Sequence, residues 1–164
     1  MIDTSSGNAA TRIAFAILVT SFPAVSTAQG AAPSPAAPSV SNVWVKTTVP
    51  GGSVSAAYMH IKSATALKLV KAESSFAGIV EIHDMKMNSG VMQMKALDSL
   101  DIPVGKTVEL KPGGTHVMLM KVKEPIRKGD KVPLTLTFEG TDKKLMAVKF
   151  DAIARESEAQ HHKH

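Results

Sequence analysis

Histidine and methionine are concentrated in two short segments of this 164-residue chain, although the whole sequence contains only 6 His and 9 Met. In both segments these side chains recur two residues apart, and residues two apart on a β-strand share one face. The pattern predicts strands that present imidazole and thioether groups together. The first segment holds His83, Met85, Met87, Met92 and Met94, and the second holds His116, Met118 and Met120.

Imidazole nitrogen and thioether sulfur form a ligand set for a soft metal ion. Thioether sulfur is uncharged and binds cuprous ion well, whereas zinc and calcium sites use thiolates, imidazoles or carboxylates. We therefore predict a Cu(I) site. The alternative is that the methionines fill gaps in an aliphatic core and that His83 and His116 are ordinary surface histidines. Two His-x-Met pairs in one chain argue against that alternative.

The turn sequence Asn88-Ser89-Gly90 predicts a β-hairpin in the middle of the first segment. With Asn88 and Ser89 as the two turn residues, His83 lies directly opposite Met94, and Met85 lies opposite Met92. All four side chains then share one face. A slip of one residue would move Met94 to the other face.

Aliphatic residues alternate with the candidate ligands in both strands and indicate which face is buried. Val80 and Ile82 alternate with His83, and Val117 and Leu119 alternate with His116. Because the aliphatic residues are natural core positions, we expect the His and Met side chains to face outward. The predicted site is therefore shallow and open to solvent.

Strand patterns recur at short intervals from Val43 to Ala152, and no helical periodicity intervenes. The clearest alternation is in Val132–Phe138. We predict an all-β antiparallel sandwich or barrel. The nine expected strands are 43–45, 54–61, 67–72, 79–87, 91–97, 107–110, 116–122, 132–138 and 144–152.

The ends of the chain differ in composition from the middle. Residues 1–28, with Arg12 before an apolar run and small residues after it, are typical of a secretory signal. Residues 29–40 form an Ala/Pro-rich tether, 41–153 the folded domain, and 154–164 a His-rich flexible tail. The apolar run is too short for a membrane span. We expect a soluble periplasmic protein after cleavage.

Composition excludes several classes of function. The sequence has no cysteine, which removes disulfides, thiolate ligands, cysteine nucleophiles and blue-copper electron transfer. The net charge of +5 is dispersed, and one Trp and one Tyr provide little stacking surface, so no nucleic-acid partner is expected. Mild basicity suits docking onto an acidic protein patch. No nucleophile motif is present, and we expect no enzyme activity.

From about Val43 to Ile153 the sequence resembles the PCuAC family of periplasmic copper chaperones. That family's signature is a His, ten residues, a Met, twenty-one residues and then His-x-Met, and His83, Met94, His116 and Met118 match it in full. The segment Leu110-Lys111-Pro112-Gly113-Gly114 also agrees. The resemblance implies a cupredoxin-like Greek-key fold, Cu(I) on these four residues and copper delivery during cytochrome oxidase assembly.

Several assignments stay open at this point. The resemblance suggests that the recipient of the copper is an oxidase subunit or another copper chaperone. Two alternative functions stay open: sequestration of copper without delivery, and an exported interaction module without metal. Met85, Met87, Met92 and Met120 are secondary ligands or, as we favour, an apolar rim that docks the partner. His60 departs from the family pattern and is expected to be a solvated surface histidine. Three tail residues are candidate Cu(II) ligands: His161, His162 and His164.

Overall fold

A computed structural model describes residues 37–157, and every regular element in this part of the chain is a β-strand. The predicted signal segment, most of the tether and the His-rich end of the tail lie outside the described residues. No helix in the described range is long and apolar enough to cross a membrane. The strands are β1 (Ser39–Lys46), β2 (Val54–Lys62), β3 (Leu67–Glu73), β4 (Ala77–Asn88), β5 (Val91–Leu97), β6 (Leu100–Ile102), β7 (Thr107–Leu110), β8 (His116–Val122), β9 (Lys131–Gly140) and β10 (Leu145–Arg155).

Alternation of apolar and polar residues accounts for most of these strands. The bounds of β5, β7 and β8 are those predicted from the sequence. In β9 the apolar members of the alternating pattern are buried, whereas Thr135 and Thr137 are half-buried. The sequence pattern misses β6, because its three residues are too few to establish an alternation. β1 begins and β10 ends two residues beyond the predicted limits of the domain.

The strands form one sheet in the order β5-β4-β8-β2-β1-β10-β9-β3-β6, and β7 pairs with β2. Named strands pair antiparallel except β1 and β10, which run parallel along Trp44–Lys46 and Ile153–Arg155. The all-β class is as predicted, with this one departure from purely antiparallel pairing. The order also makes β4 and β8, the strands that carry His83 and His116, direct neighbours.

One aliphatic core holds the two halves of the sheet together. Strands β2, β4 and β8 contribute to the same buried cluster as β3, β9 and β10. Val117 and Leu119 are fully buried in it, as the sequence predicted, and Ile82 is buried while Val80 packs at its margin. Met59 is 1% exposed and does fill a core position. Removing a large aliphatic side chain from water stabilises a fold by about 1.5–3 kcal/mol.

The hairpin between β4 and β5 turns at Ser89 and Gly90, so the predicted turn at Asn88 and Ser89 is wrong. Asn88 instead pairs with Val91. Ser89 has φ of 50° and Gly90 has φ of 82°. Two consecutive positive φ values are typical of a type I′ turn, whose twist matches that of the flanking strands. Glycine adopts such a φ without steric cost, and this favours Gly90 over Asn88 as a turn residue.

The new turn moves every partner across the hairpin by two residues. His83 lies opposite Ala96, not Met94 as predicted, and Met85 lies opposite Met94. Met92, predicted opposite Met85, pairs with Met87. Because side chains alternate with a period of two, this shift leaves Met94 on the same face as His83.

Candidate metal centre

The two candidate histidines lie directly opposite each other on β4 and β8. His83 pairs with His116 in the register of these antiparallel strands. Their ring centroids are 5.9 Å apart, with an interplanar angle of 57°. Imidazole nitrogens bind metal ions at about 2 Å, so this separation leaves room for one ion between the rings. The structure thus brings together residues that are far apart in sequence.

His83 is oriented by Glu81, which precedes it by two residues and lies on the same face. Nε2 of His83 donates a hydrogen bond to Oε2 of Glu81 at 2.8 Å. Nδ1 is buried and has no hydrogen-bond partner within the described residues. A neutral imidazole that carries its proton on Nε2 holds a lone pair on Nδ1. An unpaired buried nitrogen is costly unless something binds it, and this fits a metal ligand.

His116 is oriented in a similar way, but through its other nitrogen. Nδ1 donates to the carbonyl oxygen of Gly114 at 2.9 Å, which leaves the lone pair on Nε2. Each histidine therefore has an acceptor two residues before it that fixes the tautomer. Sequence reasoning missed both acceptors, although the two-residue spacing of Glu81 and Gly114 was visible.

His116 is buried, with 4% of its surface exposed, so the prediction of an outward-facing residue is wrong. The cause is a row of rings across neighbouring strands. Tyr58 on β2 lies 6.3 Å from the His116 ring, and Trp44 on β1 packs on Tyr58 at 4.4 Å. Tyr58 is also buried, and burial raises its pKa.

Neither candidate thioether ligand lies directly opposite a histidine. Met118 is half-buried on the face of His116, and Glu81 lies opposite it on β4. Met94 is 47% exposed and lies diagonally from His83, because its direct partner is Met85. Diagonal neighbours across a strand pair are about 7–8 Å apart, within reach of long side chains. All four predicted ligands thus share one face of adjacent strands.

A polar contact on the opposite face ties the two histidine strands together. Oγ1 of Thr115 donates to Oδ1 of Asp84 at 2.9 Å, and Lys86 forms an ion pair with Asp84 at 2.9 Å. Hydrogen bonds from Lys86 and Thr115 hold the pKa of Asp84 below its usual value. Asp84 and Thr115 each adjoin one of the histidines, so this contact restrains the spacing of the rings.

Other candidate residues lie apart from the paired histidines. Met87 and Met92 are exposed at the end of the hairpin, and Met120 is half-buried beside Ile79 and Val54. His60 is half-buried and accepts a hydrogen bond from Asn42 at 3.0 Å in an exposed contact, so it lies at the surface but is only partly solvated. Three tail histidines lie outside the described residues: His161, His162 and His164. No group of three or more His, Cys, Asp or Glu residues within 37–157 is placed to hold a metal.

Solved structures define the class of fold. The chain matches the copper-bound PCuAC domain of PmoF2 with a TM-score of 0.60, at 21% identity, over 75% of this chain and 96% of that one. It also matches apo-DR1885 from Deinococcus radiodurans at 29% identity and a TM-score of 0.55, covering 92% and 97% of the two chains. CuI-DR1885 matches at 29% identity and 0.52, covering 82% and 87%. The domain has the cupredoxin-like β fold of PCuAC domains.

The family is given by the sequence itself. Residues 39–152 match the model of the LpqE-like family, described as "Putative lipoprotein LpqE-like", and the chain belongs to that family. A curated relative is "Putative lipoprotein Lxx21020" of Leifsonia xyli subsp. xyli, which is 39% identical over 103 residues. The match covers 60% of this chain, and the chain spans 60% of that relative's length.

Proposed function

We propose that this protein is an exported copper carrier that binds one cuprous ion through His83, His116, Met94 and Met118. The observation that carries the proposal is the pair of opposed histidines, each with one nitrogen engaged by an acceptor and the other free to bind. The buried, unpaired Nδ1 of His83 is hard to explain without a ligand.

The donor set favours the reduced state of copper. Two neutral imidazoles and two thioethers bring no negative charge, and thioether sulfur prefers soft Cu(I) over harder cations. The likeness to CuI-DR1885, at 29% identity, supports the same choice of metal. For the tail histidines we propose a separate and weaker Cu(II) site, because imidazole nitrogen suits the harder ion.

The position of the site suits transfer of the ion to another protein. Met94 is exposed on β5, at the end of the strand order, while His116 is buried. One side of the ion would therefore be reachable by a partner. Relatives named as lipoproteins support export, and the periplasm is the compartment that we propose. The PCuAC resemblance suggests delivery to an oxidase subunit or to another copper chaperone.

An anaerobic competition titration against a chromogenic Cu(I) chelator tests the site. We expect one ion to be retained by the wild-type chain, and Met118→Leu and His83→Ala to weaken its binding at least tenfold. Met146→Leu and His60→Ala are matched controls on β10 and β2 and should bind as wild type. Failure of the wild-type chain to hold Cu(I) would overturn the proposal and favour an interaction module without metal.

A transfer assay separates a carrier from a sequestering protein. The copper-loaded chain is mixed with an apo acceptor, such as the soluble copper domain of an oxidase subunit, and the copper on each protein is followed over time. A carrier should pass copper faster than the ion dissociates into a chelator. Transfer no faster than dissociation would favour sequestration.

A further inference from the structure

The register of the β4–β5 hairpin creates a methionine cluster beyond the candidate metal centre. Met85 lies opposite Met94, and Met87 lies opposite Met92. These four side chains share the face of His83, since directly paired residues and residues two apart both share a face. They extend from the histidines towards the turn at Ser89 and Gly90.

Met87 and Met92, the pair nearer the turn, do not fill gaps in the core. Met87 is 65% exposed, Met92 is 55% exposed, and every residue of β5 from Val91 to Ala96 is exposed. Met59, by contrast, is 1% exposed and packs in the aliphatic core. Exposed thioethers at paired positions on an edge hairpin therefore need a role other than packing.

The thioether sulfur atoms of these methionines are suitable ligands for a soft metal ion. Directly opposed residues have Cβ atoms about 4.5–5.5 Å apart, which allows two flexible thioether side chains to hold one ion. The charged residues Lys86 and Lys95 alternate with the methionines and lie on the other face of the hairpin. A site made only of uncharged sulfur selects soft monovalent cations and excludes hard ones.

We propose that Met85, Met87 and Met92 form an outer thioether site for a second cuprous ion, next to the Met94 ligand of the inner site. The outer site has no imidazole and binds more weakly. It is open to solvent at Met87 and Met92, while Met85 is half-buried. Ion binding at the outer site does not depend on the inner site. The outer site would be the point where copper enters or leaves the chain, and this role rests on the proposed function.

Methyl NMR of 13C-methionine-labelled protein, titrated with Ag(I) as a redox-stable soft ion and repeated anaerobically with Cu(I), tests the proposal. The first equivalent should shift the methyl signals of Met94 and Met118. A second equivalent should shift those of the outer residues, while Met146 on β10 serves as the internal control. Outer signals that shift no more than Met146 would overturn the outer site.

Two variants distinguish the sites. M85L/M87L/M92L keeps the apolar area but removes the sulfur atoms, so it should bind one ion instead of two. Retention of the second ion by this folded variant would refute the outer site and leave the methionines as an apolar docking rim. H83A/H116A should lose the inner ion and keep the outer one. If the wild-type outer signals shift but Met118 does not, the proposed function fails while the outer site stands.

Discussion

Removal of the Glu81 carboxylate should weaken copper binding although Glu81 is not a ligand. Its Oε2 accepts the Nε2 hydrogen of His83 at 2.8 Å, which keeps the lone pair on Nδ1 and holds the ring in place. In Glu81→Ala the ring is free to rotate and to change tautomer. The variant must then spend free energy to restore the binding geometry when the ion arrives.

The size of the effect follows from the contact and its exposure. Groups that accept a hydrogen bond from a metal-binding histidine typically contribute about 10–100-fold to metal affinity. The Glu81 side chain is 44% exposed, so solvent screening places the effect at the lower end, about tenfold or ~1.4 kcal/mol. Glu81→Gln keeps a neutral acceptor worth roughly half a charged one, and we expect a loss of about threefold.

Competition for Cu(I) with a chelator of known affinity measures both variants. Glu73→Ala is the matched control, because Glu73 is a half-exposed glutamate on β3 that pairs with Lys71 at 2.8 Å. We expect the Cu(I) affinity to be highest for the wild type and Glu73→Ala, lower for Glu81→Gln and lowest for Glu81→Ala. Wild-type affinity in Glu81→Ala would refute the argument that this carboxylate orients His83.

Four further changes test other parts of the structure. His116→Ala should lower the free energy of unfolding of the metal-free protein by about 2 kcal/mol, since a buried, hydrogen-bonded ring is lost; an unchanged urea midpoint would contradict its burial. Gly90→Ala should lower the free energy of unfolding by about 1 kcal/mol. The whole effect comes from the positive φ, because an added Cβ meets no atom within 4 Å, and amide exchange in β5 should speed up. Thr115→Val should cost about 1 kcal/mol by removing the donor to Asp84, measured as a lower melting temperature. Deletion of residues 158–164 should abolish only a weaker cupric site, and an unchanged Cu(II) stoichiometry would disprove the role of the tail.

The strands could be predicted because alternation is a local property. The pattern of β8, with Val117 and Leu119 between polar or sulfur-bearing residues, is sufficient to define both its bounds and its core face. The burial of His116 could not be predicted in this way, because it depends on which strand lies alongside β8. The covering ring of Tyr58 comes from β2, more than fifty residues earlier in the chain.

The hairpin register illustrates a second limit of sequence reasoning. Asn88, Ser89 and Gly90 all favour turns, and only the tolerance of glycine for a positive φ favours the pair Ser89-Gly90 over the pair Asn88-Ser89. The face of Met94 was still correct because the error was two residues. Orientation of His83 by Glu81 required side-chain geometry, although the two-residue spacing was consistent with it.

Trp44 is the only tryptophan of the chain, and it is connected to His116 by two ring-to-ring steps of 4.4 and 6.3 Å through Tyr58. The indole emission of this protein therefore comes from a single fluorophore beside the candidate metal centre. We therefore expect an ion held by His116 to alter that emission without any added dye. Occupancy could be followed in real time by intrinsic fluorescence while copper is loaded or removed.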